Sequence, residues 1–189
     1  TLLTNWQKEL ARFAPSLQVE VFHGAKRQLA AKRPDILLTT LGMVRSNAAE
    51  LKKLAWHTVV VDEAQNIKNA ATAQTKAVKS IPARHYIAMS GTPVENRLSE
   101  YWSIMDFANR GYLGTLNQFI ADYARPIQTS HDQSVITRFK QVTAPFLLRR
   151  LKSDKSIISD LPDKIEQDQY CNLGKAQAAL YQSLVNSGL

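Results

Sequence analysis

The stretch Val59-Val60-Val61-Asp62-Glu63-Ala64-Gln65 decides the fold, because three β-branched residues run directly into two carboxylates. An uninterrupted run of this kind is typical of a strand that is buried in a parallel sheet. Two carboxylates at the C-terminal tip of such a strand suit a Mg²⁺–nucleotide site. One can hold the metal, usually through water, and the other can polarise an attacking water. The alternative interpretation is a hydrophobic strand that ends in two solvated acids.

A second polar loop is encoded one strand further along the chain. A helical pattern follows the acidic pair, and then come a short strand at residues 85–89 and the turn Ser90-Gly91-Thr92-Pro93. A strand, a helix and a strand in this order form one βαβ unit. In open parallel sheets the ligand crevice lies outside the C-terminal ends of the strands. We therefore expect the acidic pair and this turn to share one crevice.

The residues before this unit also alternate between helix and strand. Residues 2–13 have an amphipathic helical pattern, in which Thr4 and Gln7 have the spacing of a capping box and Trp6 lies on the apolar face. Two strands and a helix are then indicated, in this order, at residues 19–21, 36–38 and 41–51. This alternation predicts a parallel α/β layer structure.

The residues beyond the second loop have a different pattern. Residues 99–160 show no strand-like alternation, and glycines and prolines separate several short helical runs. Five apolar side chains on one helical face are expected to pack in the core: Leu98, Tyr101, Trp102, Met105 and Phe107. We therefore predict a helical insertion that stands on the α/β lobe. A last helix is indicated at residues 176–185, with Leu180, Leu184 and Val185 as its buried side.

Composition excludes several classes of site. The chain has 189 residues, and 44% of them are apolar, which is enough for a core in one to two domains. Its single cysteine, Cys171, excludes an internal disulfide and a multi-cysteine zinc site. The histidines have no ligand spacing and are interpreted as structural. No apolar run approaches the ~20 residues of a membrane span and no signal peptide opens the sequence, so we predict an intracellular protein with no membrane partner.

The net charge of +8 is unevenly distributed. Residues 1–105 carry 14 Lys and Arg against 8 Asp and Glu, a net of +6, whereas residues 106–189 carry 10 against 8, a net of +2. A positive field attracts a phosphate backbone without reading base sequence, which favours nucleic-acid binding. The alternative is that the charge serves only solubility.

Taken together, these motifs resemble those of the Swi/Snf family of DNA-translocating ATPases, within the superfamily-two helicases. Residues 59–65 are similar to motif II in a DEAQ form, and residues 90–100 (SGTPVENRLSE) are similar to motif III. Residues 2–9 (LLTNWQKE) resemble motif Ia, and residues 35–40 (DILLTT) resemble motif Ib. The resemblance runs from residue 1 to about residue 181.

Two later segments narrow the resemblance from helicases in general to one family. Residues 145–150 (PFLLRR) and 161–164 (LPDK) resemble a signature that is peculiar to Swi/Snf-type proteins. RNA helicases and restriction-type translocases share motif II but lack this pair of segments, so they are the less favoured alternatives.

The resemblance implies a RecA-like lobe of the P-loop NTPase type. It places a partial lobe in residues 1–105, a helical protrusion in residues 106–160, and a linker with the start of a second helical segment in residues 161–189. The sequence contains no G-x-x-x-x-G-K-[S/T] loop (Walker A), which in the family precedes motif Ia. We therefore expect an internal part of a longer protein, inactive towards ATP by itself, with the phosphate-binding loop and the second RecA-like lobe elsewhere in that protein.

The resemblance also implies ATP and Mg²⁺ as cofactors of the full-length protein. Asp62 is expected to coordinate Mg²⁺ through water, and Glu63 to orient or deprotonate the hydrolytic water. The other residues assigned to the nucleotide are Gln65, Gly91 and Thr92.

A coupling role is expected for the turn of Ser90, Gly91 and Thr92. Gly91 permits a tight backbone, and the hydroxyls can hydrogen-bond to the acidic pair, so that phosphate release is linked to lobe movement. The alternative is an ordinary strand-to-helix cap. Arg149 and Arg150 are assigned a structural or coupling role, with DNA contact as the alternative.

The DNA backbone is expected to follow the ends of other elements. Hydroxyls and helix-start N–H groups at Thr39 and Thr40 can grip a phosphate. Asn5, Lys26 and Arg27 are further candidates, although a solvated face explains the two basic residues equally well.

The function expected from the resemblance is that of an ATPase motor. The full-length protein would couple ATP hydrolysis to translocation on double-stranded DNA and to remodelling of protein–DNA complexes, with DNA-bound proteins as further partners. It would act in the cytoplasm or nucleoid of a bacterium, or in the nucleus of a eukaryote. The alternative is a non-catalytic nucleic-acid or partner-binding module derived from such a motor.

Overall fold

A computed structural model of the chain describes residues 2–24, 34–92, 97–150 and 167–187. The chain divides into two compact units, Thr1–Ala144 and Pro145–Leu189. The strands are β1 (Val19–Phe22), β2 (Ile36–Thr39), β3 (Trp56–Val61) and β4 (Ala83–Ala88). The α-helices are α1 (Leu2–Phe13), α2 (Leu41–Leu51), α3 (Ala73–Lys79), α4 (Leu98–Ala108), α5 (Leu116–Phe119), α6 (Arg125–Ser130), α7 (Gln133–Thr143) and α8 (Lys175–Ser187). Short 3₁₀ helices cover Ala64–Ile67 and Ala144–Phe146, and a π-helical segment covers Ile120–Ala124.

The four strands form two parallel pairs. Strand β1 pairs with β2 in the register Val19↔Ile36, and β3 pairs with β4 in the register Val61↔Ala88. The predicted parallel α/β fold is therefore confirmed. Strands β2 and β3 are not joined into one sheet within the described residues, and both line a cavity of about 140 Å³ together with helix α2.

The first hydrophobic core lies on one face of the β3–β4 pair. Successive side chains of a strand alternate between faces, so Val59 and Val61 both point into this core. Its buried members are Val61, Ala64, Ile67, Val78, Ile104 and Phe107. Val60 and Ile87 are paired on the opposite face, where they remain 49% and 48% exposed. Burial on one face fixes the orientation in which β3 delivers the acidic pair.

Helix α4 connects the two hydrophobic cores of the first unit. Ile104 and Phe107 belong to the core of the β3–β4 pair. Tyr101, Trp102 and Met105 belong to a second core among the helices that follow. The remaining buried members of this second core are Leu113, Phe119 and Ala124. The expectation that the apolar face of this helix packs in a core is thus confirmed.

The described part of the helical region, residues 97–150, contains no strand. This agrees with the predicted insertion, and the packing of its helices against α4 shows how such an insertion is attached. The domain limits at residues 105 and 160 stay predictions.

Local side-chain contacts decide where several helices begin. Thr115 and Gln118 form a complete capping box at the start of α5. The capping box predicted at Thr4 and Gln7 is wrong, because α1 already includes Leu2. Leucine is a strong helix former, so the helix continues through the residues that precede the threonine.

Helix α8 lies in the second unit. The helix predicted for residues 176–185 is confirmed, but the prediction of its buried side is wrong. Leu180 and Leu184 are each 62% exposed and Val185 is 39% exposed. Helical spacing shows which side chains share a face, but it does not show whether another element covers that face. Across the described ranges, no helix has the length and apolar character needed to cross a bilayer.

The second core depends on Phe119, which is 0% exposed and has its ring 5.7 Å from that of Tyr123 and 5.9 Å from that of Phe139. Replacing Phe119 by Ala should lower the free energy of unfolding by about 3–5 kcal/mol, because a cavity remains among these rings. Urea unfolding measures the change. Phe13→Ala is the matched control, because this ring is 72% exposed and contacts the guanidinium of Arg12. It should cost less than about 1 kcal/mol; equal losses in the two variants would contradict the assignment of the core.

Candidate functional site

Backbone hydrogen bonds hold the two polar loops side by side. The N–H of Met89 donates to the carbonyl of Val61, and the N–H of Ala64 donates to the carbonyl of Met89, both at 2.8 Å. The ladder between β3 and β4 therefore continues past the last paired residues of the strands. This places the acidic pair next to the turn at residues 90–92, as expected for the two loops of one βαβ unit.

Glu63 has a left-handed backbone conformation, with φ 50° and ψ 53°. This conformation costs an L-residue roughly 1–2 kcal/mol, so the surrounding contacts must hold it. The backbone N–H and the side-chain amide of Asn66 both donate to the carbonyl of Glu63, at 2.9 and 3.0 Å. Ala64 and Ile67 are 0% exposed, and the carbonyl of Ile67 accepts a hydrogen bond from the hydroxyl of Ser103 at 2.8 Å. The turn that carries the acids is thus fastened to α4.

Both carboxylate oxygens of Asp62 accept a hydrogen bond. The backbone N–H of Glu63 donates to Oδ1 at 2.8 Å, and the indole Nε1–H of Trp6 donates to Oδ2 at 2.9 Å. The sequence placed Trp6 only on the apolar face of α1. Its contact with Asp62 spans 56 positions, so no local spacing could have revealed it.

Gln65 connects Glu63 with the turn after β4. Its amide Nε2 donates to Oε2 of Glu63 at 2.6 Å, and its Oε1 accepts from the hydroxyl of Ser90 at 2.7 Å. The oxygen of Ser90 in turn accepts from the backbone N–H of Thr92 at 3.1 Å. An amide offers both a donor and an acceptor, so it can join a carboxylate to a hydroxyl. The hydroxyl of Ser90 therefore reaches the acidic pair through Gln65 and not directly.

The backbone conformation of Gly91 in this turn does not require a glycine. Its φ is not in the left-handed region, and no described atom beyond its chain neighbours lies within 4 Å of the position that a Cβ would take. The role expected for Gly91 in a tight backbone stays a prediction. Residues 93–96 of motif III lie outside the described residues.

The threonines expected at the DNA follow strand β2. The hydroxyl of Thr39 donates to the carbonyl of Phe22 at 2.9 Å, so its hydrogen is already engaged. The hydroxyl oxygen of Thr40 caps helix α2 by accepting from the N–H of Met43 at 3.3 Å, a bond that does not use the hydroxyl hydrogen. Asn5 is exposed on helix α1.

Four basic residues are predicted to contact DNA or to act in coupling. Lys26 and Arg27 lie outside the described residues. Arg149 and Arg150 are exposed and belong to the second unit. Their assigned roles stay predictions.

The sequence profile of the SNF2-related domain family matches residues 1–188. The chain belongs to this family. The putative ATP-dependent helicase/translocase YwqA of Bacillus subtilis is 44% identical over 98% of the chain, which spans 21% of that protein. The TATA-binding protein-associated factor mot1 of Schizosaccharomyces pombe is 38% identical over 98% of the chain, which spans 10% of it. The resemblance to the Swi/Snf family is confirmed.

Solved structures support the same fold for this SNF2-related domain. The SWI2/SNF2 ATPase core of Sulfolobus solfataricus in complex with double-stranded DNA superposes with a TM-score of 0.77 at 44% identity. The match covers 98% of this chain and 39% of that one. The same core domain described without mention of DNA gives a TM-score of 0.74. The predicted RecA-like architecture is therefore confirmed.

The donor set of the SNF2-related domain fits a hydrated Mg²⁺ ion. Within the described ranges, no group of three or more His, Cys, Asp or Glu side chains could enclose a metal. Mg²⁺ does not need such an enclosure, because it usually keeps several waters and binds one or two carboxylates together with substrate phosphates. Asp62 and Glu63 supply carboxylates of this kind, and both are only partly buried.

The left-handed conformation of Glu63 can be tested through stability. Because a Cβ is disfavoured in this conformation, Glu63→Gly should unfold with a free energy roughly 1 kcal/mol higher than that of Glu63→Ala. Gln65 is the matched control, since its backbone has no positive φ. There the order should be reversed, with Gly less stable than Ala by about 0.5–1 kcal/mol. Urea unfolding of the four variants gives both differences, and the same order at both positions would argue against strain at Glu63.

Proposed function

We propose that this SNF2-related domain is part of a motor that couples ATP hydrolysis to movement along double-stranded DNA and to remodelling of protein–DNA complexes. The observation that carries the proposal is the hydrogen-bonded line from Glu63 through Gln65 to Ser90, at the carboxyl ends of two paired parallel strands. Its position corresponds to the ligand crevice of open α/β sheets.

Within this motor, Asp62 and Glu63 would have different chemical roles. Asp62 would hold Mg²⁺ through water, and the bound ion would offset negative charge on the phosphates. Glu63 would orient the attacking water and take its proton. Oε2 of Glu63 is held by Gln65, whereas Oε1 accepts no hydrogen bond from the described residues, so Oε1 is the oxygen that would meet the water.

Gln65 and Ser90 give the motor a direct link between nucleotide and turn. A change in charge at Glu63 alters the strength of the bond that Gln65 donates, and Gln65 in turn holds the hydroxyl of Ser90. Thr92 follows through its backbone N–H. We assign coupling to this line, with Gly91 as part of the turn but not as its hinge.

Other residues of the lobe are proposed to bind the DNA backbone. Thr40 is the stronger of the two threonine candidates, because its hydroxyl hydrogen is not used in its cap. Asn5, Thr39, Lys26 and Arg27 are the remaining residues assigned to the backbone. Such contacts read charge and shape and not base sequence. The solved SWI2/SNF2 core with double-stranded DNA supports this choice of nucleic acid.

The remaining parts of the proposal concern the full-length protein. Arg149 and Arg150 would lie on the route from the helical protrusion, residues 106–160, to a second RecA-like lobe. ATP would be held mainly by the phosphate-binding loop and that second lobe. We propose that the motor acts on proteins bound to DNA. The relative named as a TATA-binding protein-associated factor supports this proposal. The setting would be intracellular.

Glu63→Gln in the full-length protein should lower DNA-stimulated ATP turnover by about 10²–10⁴-fold, because the amide cannot accept the proton. Nucleotide binding should be retained. A phosphate-release assay with and without duplex DNA measures turnover. Glu50→Gln is the control, since Glu50 is exposed on helix α2 and should behave as wild type.

Wild-type turnover by the Glu63→Gln variant would rule out the assigned base. A full-length protein that binds duplex DNA without any turnover would instead be the non-catalytic binding module.

Duplex binding by the full-length protein should be salt-dependent and insensitive to sequence. The logarithm of its affinity should fall linearly with the logarithm of salt concentration, because phosphate contacts release counterions. Two duplexes of equal length and unrelated sequence should bind within about threefold of each other. Fluorescence anisotropy at several salt concentrations measures both quantities. An affinity that does not change with salt concentration would count against binding to the DNA backbone.

A further inference from the structure

The indole of Trp6 joins helix α1 to the acidic tip of β3. Its Nε1–H donates to Oδ2 of Asp62 at 2.9 Å, in a partly buried setting. Helix α1 has no buried side chain, and Leu2 and Phe13 on it are 51% and 72% exposed. The contact between Trp6 and Asp62 is therefore a polar anchor of this helix and not a consequence of core packing.

The chemistry of the indole suits a carboxylate that must keep its charge. An indole N–H donates and does not accept, so a carboxylate oxygen suits it as an acceptor, and a hydrogen bond to a charged group is stronger than a neutral one. With the backbone N–H of Glu63 on Oδ1, the two donors fix the plane of the Asp62 carboxylate. A lysine or arginine in the place of Trp6 would also fix it, but would offset the negative charge that attracts a metal.

We propose that Trp6 is a positioning residue for Mg²⁺-dependent nucleotide binding, because it orients the carboxylate of Asp62 towards the hydrated ion. The inference rests on the proposed function, since it assumes that Asp62 takes part in holding Mg²⁺. Groups that orient a metal ligand from behind contribute to metal affinity although they do not touch the metal, and their loss typically costs 10–100-fold.

The test compares two tryptophans that differ in the acceptor of the indole N–H. Trp6→Phe keeps an aromatic ring and removes the bond to Asp62. Trp56→Phe is the matched control, because it removes a bond of 2.8 Å from Nε1 to the carbonyl of Leu51, which is not part of the site. Both variants are made in the full-length protein. Binding of a fluorescent N-methylanthraniloyl derivative of ADP is followed while Mg²⁺ is titrated, and again in excess chelator.

The Mg²⁺ concentration for half-maximal binding should rise about tenfold in Trp6→Phe and stay within about twofold of wild type in Trp56→Phe. Affinity for the ADP derivative in chelator should be unchanged in both, which shows that the protein is folded. Adding Trp6→Phe to Asp62→Asn should cause no further rise, because Trp6 acts through Asp62. An unchanged Mg²⁺ requirement in Trp6→Phe, equal shifts in the two tryptophan variants, or a further rise in the double variant would overturn the inference.

The same titration separates this inference from the proposed function. Mg²⁺-dependent binding by the wild type with no shift in Trp6→Phe refutes only the role of Trp6. A wild-type protein that binds the ADP derivative without any response to Mg²⁺ refutes the assignment of the acidic pair, and the inference fails with it.

Discussion

The site depends on the parallel pairing of β3 with β4 and on its continuation beyond the strands. The N–H of Met89 and the N–H of Ala64 prolong the ladder by two bonds, so the loops that follow the strands are held at one spacing. Side chains then complete a connection that the backbone has already set. Gln65 can reach both Glu63 and Ser90 only because these loops are adjacent.

Strain and anchoring occur together in the turn after β3. Glu63 occupies a conformation that a residue with a Cβ avoids, while Ala64 and Ile67 after it are fully buried and the carbonyl of Ile67 is bonded to Ser103 of helix α4. Since α4 also carries the core of the helical region, the same helix supports the acidic turn and the predicted protrusion. The position of the proposed base is thereby tied to the packing of two cores.

Local patterns predicted the parts of the molecule that local forces determine. The valines of β3 were recognisable as a run of β-branched residues, and the strand that ends before Ser90 and the apolar face of α4 were recognisable from the local pattern. Contacts between distant elements were not. Nothing in the neighbourhood of Trp6 indicates a carboxylate partner, and helical spacing alone could not show that Leu180 remains exposed. The bridging role of Gln65 also depends on a backbone geometry that sequence does not display.

The alternation of side chains along β3 has a consequence for changes in chain length. Val59 and Val61 face the core and Val60 faces away, so one residue added within Trp56–Val61 would exchange the two sets of side chains. The acidic pair would turn with them, and Asp62 would leave the indole that holds it. In the loops between the helices of residues 109–143, side chains do not alternate between two faces in this way. Related sequences can therefore have longer or shorter loops there, whereas the number of residues from β3 to Gln65 must stay the same.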